Sequence, residues 1–66
     1  MIYLMVYEAE GKHYASRFFD PNGGDFLLNR GAQEIFTLEG EDSDTLNKNA
    51  KEKARENGIP SVINLD

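Results

Sequence analysis

The chain has no cysteine and a single histidine among its 66 residues. A disulfide and a thiolate zinc site are thereby excluded, and one histidine cannot build a histidine-rich metal site. Cations are also scarce: 7 Lys and Arg stand against 12 Asp and Glu, a formal charge of −5 and a pI near 4.7. Such a balance repels a polyanion on average, since tight nucleic-acid binding draws on clustered Lys and Arg. Long apolar runs are missing too. The strongest, Met1 to Tyr7, is too short to span a bilayer and lacks the basic flank and cleavage site of a secretory signal. No membrane partner and no cofactor are expected, and the chain reads as a complete cytoplasmic open reading frame starting at Met1.

What remains is globular. Hydrophobic residues make up 39% and charged residues 29% of the chain, a mixture that folds rather than staying disordered. A domain of this length supplies roughly 3–5 kcal/mol of net stability from its core. With disulfide and zinc staples excluded, a partner or a second copy is the remaining means of support.

Met1 to Glu8 is rich in β-branched and aromatic residues and predicts a strand. Ile2, Leu4 and Val6 fall on one side, and Tyr3, Met5 and Tyr7 on the other. Both sides are apolar, as in a strand covered twice or one whose second face meets a partner. Glu10-Gly11 supplies a turn and Lys12 to Asp20 a second strand, completing a hairpin. Asp20-Pro21-Asn22-Gly23-Gly24 then breaks the pattern, with Asn and Gly tolerant of positive φ. Asp25 to Arg30 reads equally as one helical turn closed by Gly31 or as a short strand. Gln33 to Glu39 predicts a further strand, with Glu34 in phase with Phe36 and Leu38.

Asp42 or Ser43 can cap a helix running from Asp44 to Asn57. Acids gather at its start and Lys48, Lys51, Lys53 and Arg55 lie further along, as the helix dipole favours. Leu46, Ala50 and Ala54 form a thin apolar stripe, and Asn57-Gly58-Ile59-Pro60 ends the helix. Ser61 to Asp66 predicts a short final strand. The whole is expected to be one α+β domain over 1–66: a small, mostly antiparallel sheet, made of the N-terminal hairpin and two further strands, packed against one α-helix. The expected order is β-β-(short helix or strand)-β-α-β.

Four constellations invite a chemical reading. Lys12, Tyr14, Arg17 and Phe18 mix cations and aromatics on one strand, which can stack bases and meet phosphates. The overall charge disfavours nucleic acid, and core aromatics with solvated cations explain the segment more simply. His13 has Glu8 or Glu10 as an acid partner across the hairpin and Ser16 nearby, but the spacing follows no triad. Asp20 to Asp25 offers oxygen ligands on a turn, yet an EF-hand needs Gly and Glu where Asp25 and Gly31 stand. Nor do Gly23-Gly24 lead into the lysine of a phosphate loop.

Glu39, Glu41, Asp42 and Asp44 form the fourth. They stabilise a helix start, and they also concentrate negative field at one end of the molecule, where it can steer a basic partner. The leading expectation is a small acidic protein-binding module and not an enzyme. Tyr3, Met5 and Tyr7 would form a partner or self-association face, with Glu39, Glu41, Asp42 and Asp44 as its charged complement. Its partner would be a protein with a basic surface, or a second copy in a homodimer. By analogy with compact acidic frames of phages and mobile elements, it would act as an inhibitor or regulator. The alternatives are a nucleic-acid-binding domain using the strand at 12–19, and a small enzyme or enzyme subunit.

Overall fold

The structure, a computed structural model, describes residues 1–65. Its elements run β1 (Ile2–Ala9), β2 (Lys12–Phe18), α1 (Asp25–Asn29), β3 (Gln33–Gly40) and α2 (Ser43–Glu56). The strands form a three-stranded antiparallel sheet in the order β2-β1-β3, giving the expected α+β fold. Central β1 is the strand that reads apolar on both sides, and both of its sides are indeed covered. The hairpin turn places both Glu10 (φ 56) and Gly11 (φ 79) in the left-handed region, the geometry that joins twisted strands with two residues.

One face of the sheet carries α2. Leu46, Ala50 and Ala54 are buried against Leu4, Val6, Ala15 and Phe36, so the predicted stripe is the contact. Small residues on that stripe bring the helix close to the sheet. Asp42 caps the helix by accepting from the Thr45 backbone N–H at 3.0 Å. At the other end, Gly58 (φ 75) donates to Arg55 O and Ile59 to Ala54 O, the paired bonds of a Schellman stop. Ile59 turns back into the core, 7% exposed.

The predicted final strand over 61–66 is corrected, and its last residue, Asp66, lies outside the described residues. The tail makes one parallel bridge, Ile63 with Tyr14, through Ala15 N–H to Ile63 O and Ile63 N–H to His13 O, both 2.9 Å. Its buried residues, Ile59, Val62 and Leu65, recur every third position, whereas a half-buried strand alternates. Asn64, at φ 72, turns the chain where a strand would continue. The tail is thus a plug between α2 and the sheet that also shields the outer edge of β2.

The other face is crossed by residues 19–32. Asp25–Asn29 is the helical turn, closed by Gly31 at φ 98. Asn22 N–H bonds the Asp20 carboxylate at 2.8 Å and starts the bend. Gly23 and Gly24 are not in the left-handed region; close approach is what calls for glycine. A β-carbon at Gly23 would lie 2.6 Å from Phe18 Cβ, and one at Gly24 2.9 Å from Met5 Cε.

The β1–β3 register shifts between Val6 and Tyr7. Ile35 is the extra residue of this bulge and packs, with Ile2 and Leu38, against the core. Val6 therefore faces Phe36 but Tyr7 faces Glu34. Simple alternation would put Glu34 on the helix-covered face with Phe36. The bulge moves it to the opposite face.

Candidate protein-binding site

Strand pairing sets the site in three rows across the sheet face opposite α2. Tyr3 stands between Phe18 and Glu39, Met5 between Ser16 and Thr37, and Tyr7 between Tyr14 and Glu34. The Tyr7 and Tyr14 rings stack at 5.6 Å between centroids, and the Tyr7 hydroxyl lies 3.4 Å from Ser16 Oγ. Phe18 meets Phe26 of α1 edge to face at 6.2 Å, and Arg30 lies 5.9 Å from the centre of the Phe26 ring. The chain thus covers much of this face itself.

This alters the expected Tyr3, Met5 and Tyr7 face. Met5 is only 4% exposed, beneath Gly24, and presents no surface to a partner. Tyr3 and Tyr7 remain half-buried, at the two ends of the segment that crosses Met5. Both tyrosines have an acid as cross-strand neighbour, Glu39 for Tyr3 and Glu34 for Tyr7.

The acids follow one another along the chain from β3 into α2. Glu34 and Glu39 project from β3 on this face, and the chain continues through Glu41 and Asp42 to Asp44 in the first turn of α2. Glu34, Glu39, Glu41, Asp42 and Asp44 are all exposed. Among the described residues none of them forms an ion pair; the close pair is His13 with Glu8, at 3.7 Å. Glu34 accepts from the Thr37 hydroxyl at 2.6 Å, which fixes its carboxylate beside the strand edge. Asp42 is occupied with the fold. The hydroxyl and then the backbone N–H of Thr45 hold its carboxyl below the usual range, because both bonds favour the charged form.

The basic-aromatic strand divides. Lys12, Tyr14 and Phe18 share the face with Tyr7, while Arg17 faces α2 and donates to Asn47 Oδ1. Cation and rings therefore do not form one stacking platform through Arg17, and Tyr14 and Phe18 already have ring partners. Neither ring enters the main core, as the simpler sequence reading had it; both lie on the second face. His13 stands across from Glu8, but Ser16 is on the opposite face of β2, so the three do not converge.

Sequence reasoning overlooked Glu34 and Thr37, because the bulge that places them together has no local signal. It also overlooked Phe26, 51% exposed and in ring contact with Phe18 on this face, and Phe19, 85% exposed just past the end of β2. Compared with known proteins, the chain matches no family model, no curated protein and no solved structure. No described helix is long and apolar enough to cross a membrane.

Proposed function

We propose that this chain is a small protein-binding module that occupies a basic surface of a partner protein, acting as an inhibitor or regulator. The observation that carries this reading is the run of exposed acids Glu34, Glu39 and Glu41, none of them in an ion pair among the described residues. An unpaired field of one sign speeds encounter with the opposite sign and selects against like-charged surfaces. Tyr3, beside Glu39, supplies an amphipathic ring of the kind enriched at interfaces. Asp42 adds charge to the field while capping α2.

The test is recovery of the partner by the tagged protein from its source-cell lysate, at low and moderate salt, alongside a Glu39→Lys, Glu41→Lys double variant. Both side chains are exposed, so the variant keeps the fold. Wild type should retain one protein near stoichiometry, with binding weakened by salt, and the variant should lose it. Equal retention by the variant removes the acidic run from the reading. Nuclease-sensitive nucleic acid in place of a protein overturns the reading.

A further inference from the structure

We infer that the outer edge of β3 takes up an extended, basic segment of the partner as an added strand, with cations four residues apart facing Glu34 and Glu39. This rests on the protein-binding reading and specifies its mode.

The sheet has two edges and the chain treats them differently. The β2 edge is bridged by the tail at Ile63, whereas β3 makes backbone hydrogen bonds only to β1 among the described residues. An edge strand presents a row of unpaired N–H and C=O groups, which natural proteins blunt with proline, lysine, a bulge or a covering element. β3 has neither proline nor lysine, its bulge lies at Ile35, and its charged side chains, Glu34 and Glu39, are of one sign and so guard the edge against acidic strands but not basic ones. From Phe36 to Gly40 the ladder is regular, long enough to template a short strand.

Charge selects the occupant. When two copies of β3 pair about a two-fold axis normal to the sheet, all their Glu34 and Glu39 carboxylates lie on one face. Like charges facing across strands are destabilising, so a second copy is disfavoured and a basic strand is favoured. The bulge sets the spacing. Glu34 faces Tyr7 and Glu39 faces Tyr3, four strand positions apart on β1, roughly 13 Å at strand rise. Thr37, opposite Met5, lies between them. An incoming strand matches this with Lys or Arg at positions i and i+4 and a small or β-branched residue at i+2. Their long stems let the outer cation reach across the bulge. Glu41 continues the field beyond the strand end.

The experiment titrates short synthetic peptides into the 15N-labelled full chain, followed by amide NMR. The first probe alternates Thr and Val with Lys at i and i+4. The second has the same composition with Lys at i and i+3, hence on opposite faces. The third is the first with alternate backbone nitrogens methylated, leaving its charge intact. The first should bind with shifts concentrated at residues 34–41, about fivefold tighter than the second, and the third should bind far more weakly. Equal affinity for the first and third overturns strand addition while leaving the acidic docking surface in place. No binding by any probe at millimolar concentration also overturns strand addition, and the docking reading then stands or falls on the charge-reversal experiment. Shifts in β3 that grow with protein concentration, without peptide, would assign the edge to a second copy and overturn the proposal.

Discussion

Replacing Gly23 by alanine puts a methyl carbon where the ring of Phe18 already stands. The new atom would lie 2.6 Å from Phe18 Cβ, 2.8 Å from Cγ and 2.9 Å from Cδ1, against an optimum of about 3.5–4.0 Å between carbons. Phe18 Cβ is fixed to the β2 backbone and cannot swing away, so the crossing segment itself must rise by about 1 Å. Overpacking of this kind costs roughly 1–3 kcal/mol. The gain from a stiffer unfolded chain, about 0.4–1 kcal/mol, offsets part of that, leaving a net loss of about 1–2 kcal/mol. For a domain with roughly 3–5 kcal/mol in hand, this is a large fraction. Urea unfolding followed by circular dichroism should show a midpoint lower by about 1–2 M. Gly24→Ala is the internal control. Its methyl would meet Met5 Cε and Sδ, the flexible end of a side chain, so the loss should be smaller. A Gly23→Ala protein as stable as wild type, or less affected than Gly24→Ala, would refute the close-approach account of these glycines.

The cap at Asp42 predicts a pH dependence. Its folded carboxyl titrates below the ordinary aspartate value of 3.8, so its contribution is complete above that value and is lost as pH falls through the lower folded value. Asp42→Ala should therefore be less stable than wild type near neutrality and converge with it in strong acid, in denaturant curves across that window; a constant difference would count against the cap. Gly58→Ala, at φ 75, should lose about 1 kcal/mol or slightly more and fray the last turn of α2. Unchanged hydrogen exchange at Gly58 and Ile59 would contradict the Schellman stop.

The elements set by neighbouring residues could be read from the sequence. Glu10-Gly11 specified the hairpin, and Leu46, Ala50 and Ala54 specified the buried side of α2. Gly58-Ile59-Pro60 specified where that helix stops. The tail misled because Val62 and Ile63 look like strand residues. Burial at Ile59, Val62 and Leu65 follows from the gap between α2 and β2, which only the assembled fold defines. Gly23 and Gly24 were legible as a break but not for the right reason, since the contact with Phe18 and Met5 is tertiary. The exposure of the acids was legible: Glu39, Glu41, Asp42 and Asp44 are all at the surface. That β3 is an edge, and that a bulge adds Glu34 to the group, depends on strand order and register. Neither is encoded in any one stretch of the chain.

The bridge at Ile63 bears on stoichiometry. A sheet with two receptive edges can add units indefinitely, and that is how edge pairing leads to fibres. Here the tail terminates one end of the ladder with a pair of hydrogen bonds, both 2.9 Å, so growth can proceed in a single direction. A strand added at β3, as proposed, would close the remaining end and leave the complex finite at one segment per chain. The same tail marks the point of failure. Should Ile63 peel from Tyr14, the molecule would have two open edges, and the small domain could then serve as a monomer for polymerisation.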